Sequence, residues 1–321
     1  MGAWLPAVLL SAVFAICIMP LIPLLASWGQ VEGELWSHLW QTELPELFSN
    51  TLILIALVGS ASFILGVSLA WLVVMYDFPG RSILQWGLML PLAIPPYILA
   101  FVLLGFTDFG GPLQQFLFSI GLGIEWLPDM RNPLGVGLVF TLSLYPYVYL
   151  LMRSALQRKG RSSYESARTL GYSKAAAFWR LVIPLTRPAW VAGLALVLME
   201  TLADFGAVSI FNYNTFTTAV YKSWYGFYSH GTAAQLACLL LLFVSMAVIA
   251  EKWGRGKGRY EQSGAALKQY RQRLTGLWGV LAQVGAWSVF ALGFILPVTQ
   301  LLYWVVSSFD QHTEGTIDLL L

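Results

Sequence analysis

Charge is scarce in this chain. Lys, Arg, Asp and Glu make up 11% of its 321 residues, against about 25% in an ordinary soluble domain. A water-soluble fold of this size needs more polar surface than that. Cysteine is rarer still: Cys17 and Cys238 both sit in apolar runs, which argues against a disulfide framework or a cysteine metal site. His38, His230 and His312 lie in separate segments without ligand spacing, so no metal site is assigned. No stretch fits the phosphate-binding pattern G-x-x-x-x-G-K-[ST], because Lys257 is followed by Gly258 and lacks the upstream glycine. Asp108-Phe109-Gly110 and Asp204-Phe205-Gly206 repeat a magnesium-binding tripeptide of kinases, but no catalytic loop accompanies either. These absences exclude a soluble enzyme, a nucleic-acid binder and a disordered chain. The chain is expected to bind no cofactor of its own.

What the chain has in abundance is long apolar runs. Hydrophobic residues make up 58% and mean hydropathy is +0.69. A helix needs about 20 apolar residues to cross the hydrocarbon core of a bilayer. Seven runs qualify: Trp4 to Trp28, Thr51 to Tyr76, Ile83 to Phe106, Leu134 to Met152, Ala189 to Ile210, Ala233 to Ala250 and Leu277 to Val306. The first has no preceding basic residue and no clear cleavage site, so it reads as a retained helix. The aromatic residues, 15% of the chain, suit the two lipid–water boundaries.

The charges segregate between these runs. Loop 153–187 holds eight cations, loop 251–275 holds seven, and Arg81 lies in the 77–82 turn. The alternate loops hold only Arg131 and Lys222, alongside Glu32, Glu34, Glu43, Glu46, Asp108, Glu125 and Asp129. Cytoplasmic loops attract Lys and Arg, so the basic loops and the N-terminus are expected inside a cytoplasmic (inner) membrane, and the tail 307–321 outside.

Loop 153–187 carries unusual helix punctuation. Ser162 followed by Glu165 has the form of a capping box that would start a short helix. Gly171 suits the left-handed position that closes one. Ser173 can cap a second helix through Ala175–Ala177, and Pro184 is expected to end it. Phe178 and Trp179 are expected to hold the resulting elbow at the membrane surface. A basic loop that merely fixes topology is the plainer reading of the same residues.

The pattern Glu165-Ser166-Ala167, then Gly171, then Ile183-Pro184-Leu185 resembles the E-A-A…G…I-x-L-P loop of binding-protein-dependent ABC importer permeases. Ser166 replaces the middle alanine, and the final order departs slightly. The resemblance extends through Asp77-Phe78-Pro79-Gly80-Arg81, Leu90-Pro91-Leu92-Ala93-Ile94-Pro95-Pro96-Tyr97, Tyr145-Pro146-Tyr147-Val148-Tyr149, Met199 to Ala207 and Thr215 to Thr218, and is similar to the ferric-iron type. Thiamine and phosphonate permeases share part of it. It implies an all-α, polytopic, MetI-like permease fold with a coupling-helix loop. It also implies two copies of a cytoplasmic ATPase that hold the ATP and Mg, a periplasmic or extracellular binding protein, a second permease half, and a lipid bilayer around them. Nucleic acid has no part in it. Glu165, Ser166, Ala167, Gly171, Ile183 and Pro184 would form the ATPase-coupling loop. A secondary transporter driven by an ion gradient is the rival class, since it too uses broken helices.

Glu200 and Asp204 are the acids expected within a span, where an ionised side chain costs roughly 2.5–3.5 kcal/mol on insertion scales. Four residues apart, they are expected on one helix face in the outer half. Either they line the outward end of a translocation path, or they hydrogen-bond neighbouring helices or reach interfacial water. Pro91, Pro95 and Pro96 interrupt the third span, which makes that helix a wall of the path or simply a packing kink. Six spans form one expected permease domain (1–252), followed by a basic linker (253–276). The segment 277–321 reads as the first helix of a second, incomplete repeat, because Val289-Phe290-Ala291 with Pro297 is similar to Val13-Phe14-Ala15 with Pro20. The expectation is an N-terminal portion of a fused two-half permease, with a homodimerising half as the alternative.

Overall fold

A computed structural model of the chain describes residues 4–29, 31, 33–123, 125, 129–255 and 271–318. They are almost wholly helical: α1 Trp4–Ile18, α2 Leu21–Ala26, α3 Gly33–Thr42, α4 Leu44–Met75, α5 Arg81–Gly87, α6 Pro96–Thr107, α7 Pro112–Ser119 and α8 Pro133–Ala155. The series continues with α9 Arg161–Thr169, α10 Lys174–Ala177, α11 Ile183–Leu185, α12 Arg187–Ala203, α13 Gly206–Ile210, α14 Phe216–Tyr221, α15 His230–Arg255, α16 Gly276–Phe290 and α17 Leu296–Asp318. Two short strands, β1 Tyr76–Asp77 and β2 Gln272–Arg273, pair in parallel. Residues 256–270, most of the expected basic linker, lie outside the described residues.

Five helical stretches are long and apolar enough to cross a membrane: Leu44–Met75, Pro96–Ser119, Pro133–Arg158, His230–Gly254 and Gly276–Ser307. Two bent pairs bring the number to as many as seven: Val8–Ile18 with Leu21–Gly29 at 41°, and Lys174–Leu185 with Arg187–Ala203 at 69°. Two expected spans need correction, and the third is interrupted at its prolines as expected. The first is broken at Met19–Pro20, where proline removes a helical N–H. The third breaks between Leu90 and Pro96. Its first part is α5 and a 3-10 turn, Leu90–Ala93, and its long helix opens at Pro96. The fifth does not reach Ile210 as one helix, because α12 stops at Ala203.

The central helix is α8, packed between α4, α12 and α6. Its approach to α12 is close enough to demand glycine: a Cβ on Gly193 would sit 2.7 Å from the Cα of Val148. The same helix repairs the broken third span. Met89 and Leu92 bond back to the carbonyls of Trp86 and Met89, three residues earlier. That tight turn leaves the Gln85 and Leu88 carbonyls without their helical partners, inside a membrane where water cannot serve them. The Tyr149 hydroxyl donates to Gln85 at 3.0 Å, and the Tyr145 hydroxyl donates to Leu88 at 2.9 Å.

Two apolar cores result. The larger joins α4, α5, α6, α8, α12 and α16, including Phe290 against α5. A smaller one gathers Leu39, Leu44, Leu47, Phe216, Ala219 and Leu236 at the other end of α4. Helix α2 is tied to α15 by side chains, through Gln235 to the Ser27 carbonyl at 2.7 Å and Cys238 to the Leu24 carbonyl at 3.2 Å.

Candidate functional site

Helical structure runs from α8 through a π-helical segment, Leu156–Gly160, into α9. Ser162 is therefore the second residue of α9 rather than its cap, and the expected capping box with Glu165 is corrected. The end of α9 is as expected. Gly171 has φ +87°, the Tyr172 N–H reaches the Ala167 carbonyl at 3.1 Å, and the Gly171 N–H reaches Arg168 at 3.2 Å. This pair of bonds is a Schellman cap, which a residue with a Cβ would strain. The Arg168 guanidinium also donates to the Tyr172 carbonyl at 2.6 Å.

Ser173 then caps α10, its hydroxyl accepting the Ala176 N–H at 3.2 Å. Pro184 does not end this second helix. The chain continues through a π-helical segment, Phe178–Val182, to Leu185, and the 69° bend follows there. Pro188, tolerated in the first turn of α12, has no N–H to donate to the Pro184 carbonyl, so the preceding helix is not continued into α12. The carbonyl of Ile183 is taken by the Trp190 indole at 3.1 Å.

A tryptophan of α4 fastens the elbow. The Trp71 ring meets Tyr164 edge-on at 5.0 Å and Phe178 edge-on at 4.7 Å. Thus one indole is held between the helix before Gly171 and the helix after it. Phe178 faces this clamp and is half-buried, while Trp179 remains exposed. Burial, reinforced by Tyr76 and opposed by Arg168, holds the Tyr164 hydroxyl above its usual pKa, so it stays neutral. Glu165, Ser166, Gly171 and Pro184 are exposed, Ala167 is buried and Ile183 is half-buried. Leu170, 78% exposed, and Tyr172 add apolar surface around the turn.

At the other end, the fifth span opens. Asp204 leaves the helix with ψ 131°, and its carboxylate accepts the Ala207 N–H at 2.7 Å, in the first turn of α13. Its φ of −71° is still helical and its N–H reaches the Glu200 carbonyl at 3.0 Å, so Asp204 lies one turn beyond Glu200, as expected, while its carboxylate organises the restart of the chain. Glu200 stays on α12, exposed, with the Tyr147 hydroxyl beside it. The third span's break lies alongside. Pro95 is extended and Pro96 opens α6, and a Cβ on Gly206 would sit 2.8 Å from the Tyr97 Cβ. The structure thus brings Asp204, Pro95 and Pro96 into one region where two helices are interrupted, and places Glu200 one turn before it.

The 212–217 turn secures this region. The Thr217 hydroxyl donates to the Asp204 carbonyl at 2.8 Å, and the Asn50 amide donates to the Asn214 carbonyl at 2.9 Å. The Tyr213 hydroxyl donates to the Asn50 carbonyl at 3.2 Å. Burial, with the Glu46 carboxylate adding, raises the Tyr213 pKa and keeps that donor protonated. Among the described residues, no group of three His, Cys, Asp or Glu is arranged to hold a metal ion. Sequence reasoning missed Trp71 and overlooked the placement of Tyr147 beside Glu200. An aromatic in an apolar run carries no signal of such a role.

Residues 62–251 match the protein family described as "Binding-protein-dependent transport system inner membrane component". The chain belongs to this family. Among relatives of this inner membrane component is the Fe(3+)-transport system permease protein FbpB 2 of Haemophilus influenzae. It is 29% identical over 279 residues, covering 86% of this chain and 51% of that protein. The chain therefore spans about half the length of that relative. The sulfate transport system permease protein CysT of Salmonella typhimurium is 28% identical over 204 residues, 62% of this chain and 71% of that one. The fold is shared with a chain of a bacterial alginate ABC transporter, solved in complex with an alginate-pentasaccharide-bound periplasmic protein. That likeness has a TM-score of 0.56 at 19% identity and covers 79% of this chain and 96% of that chain. The MetI-like permease fold, multi-pass and helical, is the fold of this inner membrane component.

Proposed function

We propose that the chain is a permease subunit of an ATP-driven importer, and that residues 161–185 are the elbow through which a separate ATPase moves it. The observation that carries this reading is the elbow itself: two short helices, hinged at a Schellman-capped Gly171 and clamped on Trp71, present Glu165, Leu170 and Pro184 outward. A connector that only fixed topology would need none of this construction. The basic loops place the elbow in the cytoplasm. A binding protein delivers substrate to the opposite face, and a second permease half completes the path. The hydrolysis of ATP belongs to the ATPase subunits, which hold the nucleotide and its Mg.

Ferric iron is the substrate this reading favours. A relative matched over 86% of the chain carries it by name, and Glu200 sets a carboxylate beside the broken helices. A carboxylate attracts a cation and opposes sulfate, the cargo named for the CysT relative. Purification of the complete transporter in detergent tests the first part: an ATPase should co-isolate and be lost in Glu165→Ala. Persistence of the ATPase in that variant would count against the elbow as the docking site. Uptake of radiolabelled ferric iron, compared with sulfate, tests the second; sulfate uptake alone would overturn the iron reading.

A further inference from the structure

The elbow and the broken helices lie at opposite ends of the bundle, and α4 makes side-chain contacts at both. Helix α4 runs unbroken from Leu44 to Met75. Near its end, Trp71 sits between Tyr164 and Phe178 of the elbow. About 30 Å away along the same helix, at 1.5 Å per residue, the Asn50 amide holds the Asn214 carbonyl. Three residues further along that turn, Thr217 holds the Asp204 carbonyl, at the break that follows Glu200.

The geometry points to α4 as a strut that carries displacement of the elbow to the break beside Glu200, with Trp71 and Asn50 as the positioning residues at its two ends. Both ends are anchored for that role. Phe48, half a turn from Asn50, packs edge-on against Phe216 at 5.1 Å, and Phe216 is fully buried in the smaller core with Leu44 and Leu47. Between the ends, α4 packs along α8 and α12. An uninterrupted helix is stiff, whereas the third and fifth spans are each broken and can flex at their breaks. A push on the elbow therefore reaches the break along α4 without crossing the 69° bend that separates the elbow from α12. Discrete packed contacts at both ends are what such coupling requires.

This inference rests on the proposed function, and its test is chosen so that the two fail separately. The complete transporter with its co-isolated ATPase is compared as wild type, Trp71→Ala, Trp71→Phe and Asn50→Ala, by uptake of ferric iron per ATP hydrolysed. Co-isolation of an ATPase by the wild type tests the function; the ratio tests the strut. Trp71→Ala should lower the ratio about tenfold, the scale of one or two lost aromatic pairs, while basal hydrolysis continues. Trp71→Phe, which keeps a ring in the clamp, should restore the ratio to within about twofold. Asn50→Ala, far from the elbow, should lower it about threefold, the loss of one half-buried hydrogen bond, without altering ATPase co-isolation. Should Trp71→Ala fail to assemble, Asn50→Ala decides. A wild-type ratio in Asn50→Ala, or in an assembled Trp71→Ala, would overturn the strut.

Discussion

Helices α8 and α15 invert the usual relation between apolarity and burial. Of the two, α15 is the more apolar, yet 17% of its most apolar stretch is buried, against 72% in α8. In water the greasier helix goes inside. In a bilayer the surroundings are as apolar as the helix, so burial goes instead to the helix with something specific to contribute. For α8 these contributions are Tyr145 and Tyr149, which serve the broken third span, the close crossing at Gly193, and Tyr147 beside Glu200. Helix α15 mainly presents Leu241, Leu242, Met246 and Ile249 outward.

The contrast can be broken most forcefully at the crossing. Gly193→Leu would drive a side chain into the backbone of α8, which cannot yield as a flexible side chain can. A loss of about 3 kcal/mol is expected, seen as a collapse of the thermal transition in detergent; a transition near that of the wild type would show that the helices are not so close. Tyr145→Phe probes the repair of the broken span. It keeps the ring but leaves the buried Leu88 carbonyl without its donor, at a cost of about 2 kcal/mol. An unchanged melting temperature would mean that the carbonyl has another partner. The smallest effect belongs to α15, where Leu242→Ala should shift stability by no more than about 0.5 kcal/mol. A larger loss in the assembled transporter would sharpen the comparison differently, by marking that face as covered by another subunit.

The seven apolar stretches were legible because a span announces itself by length and composition alone. The third span's break was legible because prolines cannot donate, and Gly171 because a helix end needs a left-handed residue. The break after Ala203 was hidden. No proline marks it, and Asp204 at four residues from Glu200 reads equally well as a helical neighbour. The continuation of the elbow past Pro184 was hidden too, since the same residue can open a helical turn or close one. The clamp on Trp71 joins rings about a hundred residues apart in the chain, and pairings of that range leave no local trace. The elbow could therefore be located from its own residues, while what fastens it could not.

The two-residue strand pair has a consequence in time. Tyr76 and Asp77 emerge early during synthesis, but their partners Gln272 and Arg273 follow about 195 residues later. At roughly 5–20 residues per second the ribosome needs about 10–40 s to supply them. The Asp77 carbonyl, which finally accepts the Leu274 N–H at 3.0 Å, has no such acceptor role to fill until then. Helices α5 to α15 are all synthesised while that edge stands open to other strands. Closing it is a late act of assembly, completed only as the seventh span leaves the ribosome.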